Sequence, residues 1–458
     1  MKKLLFFVFI FINIFTLHSF ADENGYIVKL KCSPVSLFNS SSCSGLKPIN
    51  EEENIYSVKS LDAISDYIAE DMIEHIEPNF EFTLFSIPND TYYNQSQWNL
   101  QMINAPYIWE SGCFGQEIKI AVIDSGANPH YDLKGNLLEG YNYINSNTDV
   151  TDYDGHGTFV SGIIAATANN SYGIAGLSYG AKIVPLKTFS GEKGSVDNVI
   201  AAVKDAVDKY DCNVINMSFG GPLNSLILEE EIKRAVSKGV IVISASGNNS
   251  SNIINYPASY EDVISVSSID SDKVIAKTST YNEYVDVAAP GENVKSLVYQ
   301  NPTSLTALNS GTSFAAPHVS ALAALCLNVN PQMNAFEFME ILKQTSEDLG
   351  AEGRDDYYGY GLINAKNVLE LLLKDKEFFV SPFTFNNQTA QSVIYNNTNE
   401  AQNVFSIFKN SSDISFSKKS INAKSGSIIS FASSSNSFSH YLWKSNLSPV
   451  LKNSLAMP

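Results

Sequence analysis

The chain has 458 residues, which at roughly 150 residues per domain calls for more than one domain. Apolar residues make up 44% and charged residues 17%, enough to pack cores and to exclude global disorder. Basic residues number 30 against 48 acidic ones, a net charge of −18, and the only arginines are Arg234 and Arg354, so neither nucleic acid nor an anionic bilayer is an expected partner.

Lys2 and Lys3 precede an apolar run from Leu4 to Leu17, and Ser19 and Ala21 stand at −3 and −1 of a cut after Ala21. That pattern predicts a secretory signal over 1–21 and an exported product. The run contains Asn13 and falls short of the ~20 residues that span a bilayer. No later uncharged stretch is expected to approach that length, so the mature form should carry no membrane span.

Residues 22–90 read as a small α+β unit. Tyr26–Leu30 predicts a strand, Ser60 caps a helix with Leu61, Ile64, Tyr67 and Ile68 on one face, and Met72–Ile76 alternates before Pro78. The polar stretch Asn89–Gln97 reads as a linker or cleavage zone. Within 91–375, apolar runs at Ile118–Ile123, Lys182–Leu186, Val214–Met217, Val240–Ser244 and Val263–Val266 alternate with helical patterns at Thr158–Ala168, Ser195–Lys209, Leu226–Lys238 and Phe314–Val329. Such alternation predicts an α/β fold with a mainly parallel central sheet buried on both faces. Residues 376–458 hold 19 Ser and 11 Asn, and their short apolar runs favour a small β-rich domain over disorder.

The five cysteines form no C-x-x-C pair. Cys212 and Cys326 read as buried thiols, and whether Cys32 and Cys43 pair is left open.

Four segments carry chemistry. Asp124 ends an apolar strand in Ile123-Asp124-Ser125-Gly126, where a carboxylate can hold an imidazole in one tautomer. Asp154-Gly155-His156-Gly157-Thr158 leaves a histidine ring accessible at a helix start, as a general base requires. Ser310-Gly311-Thr312-Ser313 opens an Ala-rich helix, placing a hydroxyl at the positive end of its dipole. Pro317 is tolerated in a first turn, which puts the helix start close to Ser313. Asn248, in Ser244-Ala245-Ser246-Gly247-Asn248, and the backbone N–H of Ser313 can together stabilise an oxyanion.

In the order Asp124, His156, Asn248, Ser313, these segments resemble the subtilisin family of serine proteases over residues 90–370. The resemblance implies a three-layer subtilisin-like fold and a secreted endopeptidase acting on protein or peptide substrates, with Ser313 as nucleophile, His156 as general base and then acid, and Asp124 as its orienting partner. It implies a substrate edge at Ser218, Phe219 and Gly220, an opposite edge at Gly194 and Ser195, and Asn255 at the floor of the pocket for the residue preceding the scissile bond. It implies a structural Ca²⁺ held by the Asn170 side chain, the carbonyls of Ala168, Tyr172 and Ile174, and the Asp132 carboxylate, with Asn94 or Gln95 as a further donor. It also implies that residues 22–90 are a propeptide, an intramolecular inhibitor of a zymogen removed by autoproteolysis.

Two rival readings are weaker. Gly176-Leu177-Ser178-Tyr179-Gly180 matches the G-x-S-x-G elbow of lipases, but a strand follows it where the elbow needs a helix. A non-catalytic binding protein on the same scaffold should lack a catalytic group, and none is missing. No H-E-x-x-H occurs, which removes the zinc-protease reading.

Overall fold

The computed structural model describes residues 26–31, 46–50, 53–59, 72–78, 88–301, 304–382, 384–386, 389–399 and the strands between 402 and 456. The chain divides into two compact units, Met1–Ser86 and Ile87–Pro458.

In the first unit, β1 (Tyr26–Leu30), β2 (Lys47–Asn50), β3 (Ile55–Val58) and β4 (Ile73–Pro78) form an antiparallel sheet in the order β2-β3-β1-β4. Alternation along β1 buries Tyr26, Val28 and Leu30 on one face, against Tyr56 and Val58. His75 lies exposed on β4. The helix expected after Ser60, and both Cys32 and Cys43, lie outside the described residues.

The second unit is built on β5 (Lys119–Asp124), β6 (Tyr141–Asn142) and β7 (Lys182–Lys187), followed by a small hairpin of β8 (Phe189–Ser190) and β9 (Lys193–Gly194). After these come β10 (Val214–Met217), β11 (Ile241–Ala245), β12 (Ile264–Ile269) and β13 (Val287–Pro290). Seven of them make one sheet, in the order β13-β12-β11-β10-β5-β7-β6, with every pairing parallel.

Four helices cover it: α1 (His156–Ala165), α2 (Val196–Asp208), α3 (Leu226–Ser237) and α4 (Thr312–Val329). Ile120 and Val122 of β5 pack with α1 and α4, whereas Ala121 and Ile123 pack with α2 and α3. Burial on both faces is why the strands read as continuous apolar runs, and each lies within a few residues of its expected limits. An antiparallel pair, β14 (Val294–Asn301) and β15 (Ser304–Asn309), lies against α1, where Ser296 Oγ donates to Phe159 O at 2.6 Å.

Eight tail strands form two four-stranded sheets. One holds β16 (Phe378–Val380), β17 (Thr384–Asn386), β18 (Thr389–Asn396) and β21 (Ser425–Ala432). The other holds β19 (Gln402–Lys409), β20 (Ile414–Ile421), β22 (Ser437–Lys444) and β23 (Pro449–Ala456). The β-rich expectation for this region is the one the structure follows.

Three expectations are corrected. Asn89–Gln97 does not run free. Tyr93 is buried, Tyr92 N donates to Gly173 O at 2.9 Å, and Gln97 exchanges hydrogen bonds with Ala175. Helix α4 begins at Thr312, so Pro317 is not in its first turn but is the sixth helical residue. This helix also has the length and apolarity to cross a membrane, contrary to the expectation for later segments, and its residues are buried in the core of the second unit.

The thiols of Cys113, Cys212 and Cys326 are free and buried. His318 is fully buried on α4, with Nδ1 against Phe314 O at 2.9 Å and Nε2 accepting from Asn99 Nδ2 at 2.8 Å. Burial lowers its pKa from 6.5 to about 4. The unfolded chain therefore takes up this proton at a higher pH than the native state does, and stability should fall as pH drops from about 6.5 towards 4, by about 3 kcal/mol from this group. Urea unfolding across that range checks it, and His318→Gln should remove that part of the slope.

Candidate active site

Strand order reverses beside β5: the chain passes to β6 and β7 on one side and later to β10–β13 on the other. The carboxyl ends of β5 and β10 meet there, the place where such sheets bind ligands, and a pocket lies beyond the ends of β10 and β11. Asp124 is the last residue of β5, 3% exposed, and its Oδ1 accepts from Ser125 N at 2.7 Å and from His156 Nδ1 at 2.8 Å. A carboxylate only accepts, so Nδ1 carries the hydrogen, and in the neutral ring it is Nε2 that presents a lone pair.

Two glycines bring His156 there for different reasons. Gly155 takes φ +92°, and a Cβ at Gly157 would lie 2.1 Å from Gly126 O and 3.2 Å from Asp124 Oδ1. A second buried carboxylate, Asp152, holds the turn. It accepts from Ser125 Oγ (2.8 Å), Gly155 N (2.8 Å), Thr158 N (2.8 Å) and Thr158 Oγ1 (2.6 Å), capping α1 from outside it. Lys187, paired in register with Asp124, is 6% exposed and donates through Nζ to Ser125 O. Burial lowers its pKa, while the carboxylates of Asp152, Asp149, Asp124 and Asp154 pull it back up. Burial also disfavours the charged form of His156, but Asp124, helped by Asp154 and Asp152, outweighs it and raises the ring from 6.5 to about 9.

Ser313 is the second residue of α4. Its Oγ donates to Ser218 O at 2.9 Å, not to His156, and Ser218 Oγ donates back to Ser313 O at 2.8 Å. The Phe314 ring, next in sequence, lies 5.4 Å from the His156 ring between centroids. Asn248 Oδ1 accepts from Thr312 N (2.9 Å) and Thr312 Oγ1 (3.0 Å), and its Nδ2, on a residue that lines the same pocket as Ser313, makes no hydrogen bond among the described residues. A pocket of about 210 Å³ is lined by Ser313, Asn248, Phe219, Gly220 and Asn255. Gly194 closes the β8–β9 hairpin and Ser195 is the N-cap of α2. The structure thus gathers Asp124 with His156, and Ser313 with Asn248, Ser218, Phe219, Gly220 and Asn255.

The model of the subtilase family matches residues 115–361. The thermophilic serine proteinase of Bacillus sp. (strain AK1) is 35% identical over 326 residues, 70% of this chain and 79% of that one. The minor extracellular protease Epr of Bacillus subtilis is 38% identical over 290 residues, 62% of this chain and 44% of that one. A solved protease of Pseudoalteromonas arctica PAMC 21717 aligns with TM-score 0.58 and 28% identity, over 63% of this chain and all of that one.

The chain belongs to the subtilase family. It is accordingly a subtilisin-like serine peptidase with the subtilisin-like fold.

Subtilases commonly bind structural calcium, and the donor set here suits a hard cation. Asp132 is fully buried, with Oδ1 accepting from Asn170 Nδ2 at 2.7 Å and Oδ2 from Ile174 N at 2.9 Å. Asn170 Oδ1 accepts from Tyr172 N at 2.8 Å. The carbonyls of Ala168, Tyr172 and Ile174 accept no hydrogen bond among the described residues. Asn94 and Gln95 are exposed, and the residue that arrives instead is Asp90, 4% exposed, with Oδ2 accepting from Asn169 N at 2.8 Å. Burial raises the pKa of Asp90, and burial together with the charge of Asp90 raises Asp132 to about 6. Two buried carboxylates without an ion-pair partner among the described residues are what a divalent cation would relieve.

The sequence reading missed Asp90, Asp152, Thr312 and Lys187. Only Lys187 left a local signal, a lone cation ending an apolar run. NMR titration of the His156 ring should give a midpoint near 9, and Asp154→Asn should lower it, because removing a nearby negative charge disfavours the imidazolium.

Proposed function

We propose that Ser313 is the nucleophile of this peptidase, His156 the general base and then acid, and Asp124 the group that fixes the ring's tautomer and stabilises its charged form. The observation that carries this reading is the 2.8 Å bond from His156 Nδ1 to Asp124, which leaves Nε2 of the neutral ring as the base, on a ring that lies beside Phe314, the residue after Ser313. Substrate backbone adds along Ser218–Gly220, with Gly194 and Ser195 as the opposite edge. Ser218 O, now occupied by Ser313 Oγ, becomes the acceptor for a substrate N–H, and the released hydroxyl turns to His156. Asn248 Nδ2 and the Ser313 N–H receive the oxyanion, with Thr312 holding the Asn248 amide in that orientation.

The domain assignment follows the same reading. Residues 1–21 are a secretory signal, 22–90 the inhibitory propeptide region, whose autoproteolytic cut falls before Asp90 so that this carboxylate stays with the catalytic domain of 91–375, and 376–458 a β-rich appendage. Export is supported by the charged and apolar pattern of the first 21 residues and by a relative named as extracellular. Calcium is a structural cofactor held by Asp90, Asp132, Asn170 and the carbonyls of Ala168, Tyr172 and Ile174.

Ser313→Ala should reduce peptide hydrolysis by more than about 10³-fold, abolish labelling by a fluorophosphonate and leave residues 22–90 attached. Spontaneous maturation of that variant would overturn the autoproteolytic part. Chelation with EGTA should lower the melting temperature of the wild type by several degrees. Asp90→Asn should shrink that EGTA effect, and an unchanged response would remove Asp90 from the cation site.

A further inference from the structure

Asn255 lines the pocket beside Ser313 and is 5% exposed. Its Nδ2 donates to Ser246 O (3.0 Å), Asn249 Oδ1 (3.0 Å) and Thr280 Oγ1 (3.4 Å). A peptide carbonyl can only accept, so the nitrogen must face Ser246 and the oxygen must point the other way. Asn255 Oδ1 accepts no hydrogen bond among the described residues, yet it is not sealed from solvent. The relay continues outward. Asn249 Oδ1 accepts from Asn255 Nδ2 and from Thr280 Oγ1 (3.4 Å), and Asn249 Nδ2, at the exposed rim, makes no hydrogen bond among the described residues. The pocket therefore offers one orientation-locked acceptor at its floor and one donor nearer its mouth.

We infer that Asn255, together with Asn249, determines specificity by selecting a substrate side chain that ends in a primary carboxamide, Gln or Asn, at the position whose carbonyl Ser313 attacks. The inference rests on the proposed role of Ser313. A carboxamide donates to Asn255 Oδ1 and accepts from Asn249 Nδ2 at once. An apolar side chain of the same length displaces water from both groups and replaces neither bond. A carboxylate meets the floor oxygen lone pair to lone pair. A Lys ammonium has donors, but it would be desolvated in a pocket whose lining residues include no carboxylate.

The test is kcat/KM on peptides that differ only at that position, with Gln, Met, Glu and Lys, using mature wild-type protein whose Ser313 is shown to label with a fluorophosphonate. The Gln peptide should exceed the Met and Lys peptides by about tenfold or more, with Glu lowest. Asn255→Ala should bring the Gln-to-Met ratio towards one. Asn249→Ala, at the exposed rim, should do so partly, and it serves as the second variant if Asn255→Ala fails to fold. A labelled wild-type enzyme that cleaves the Met or Lys peptide as well as the Gln peptide overturns the assignment. Absence of both labelling and hydrolysis instead overturns the reading of Ser313, and this inference falls with it.

Discussion

The hydrogen bond from His156 to Asp124 is a contact between residues 32 apart in sequence, and it exists because neither end of it is free to move. Asp124 terminates a strand flanked by β10 and β7 and buried on both faces, and slipping that strand by one residue would exchange Ile120 and Val122 with Ala121 and Ile123 between two packed cores. Register is therefore pinned by burial, and the carboxylate at its end inherits that precision. The other end is pinned by close approach: at Gly157 no side chain fits between α1 and the backbone of Gly126. The dyad is a consequence of core packing on one side and of backbone proximity on the other.

Around that bond the chain gathers more negative charge than the chemistry of one dyad needs. Asp152 is buried and takes four strong donors, so its role is to shape the turn that delivers His156. Asp149 and Asp154 add to that charge, and among the described residues the cation of the sheet that these carboxylates act on is Lys187. Its ammonium is spent on Ser125 O, the carbonyl directly after Asp124. One lysine against several carboxylates leaves the field at His156 negative, which is the physical source of its raised affinity for a proton.

How much of this was legible in the sequence follows from which interactions are local. Strands such as Val214–Met217 and helices such as Val196–Asp208 were readable because two-faced burial and amphipathic spacing are written into consecutive residues. Asp124, His156, Asn248 and Ser313 were recognisable because each sits in a short segment whose neighbours serve the same geometry. Asp90 was unreadable because its surroundings are polar and its partners, Asn169 and Asn170, lie about eighty residues away. The strand β13, Val287-Ala288-Ala289-Pro290, was missed because small residues carry little apolar signal even when wholly buried.

Pro317 shows a local rule yielding to a tertiary demand. A proline inside a helix removes one N–H and costs on the order of 3 kcal/mol, which is why a first-turn position was expected. In α4 the missing N–H is the one that would have bonded to Ser313 O, four residues earlier. That carbonyl is instead taken by Ser218 Oγ, while Ser313 Oγ bonds to Ser218 O. The break in the helix ladder thus creates the acceptor that ties the start of α4 to the end of β10, and a reciprocal pair of bonds sets the separation between the residue proposed to attack and the edge proposed to hold the substrate. A residue with an N–H at 317 would compete for Ser313 O and loosen that tie, so the proline is placed where its helical defect has a structural use.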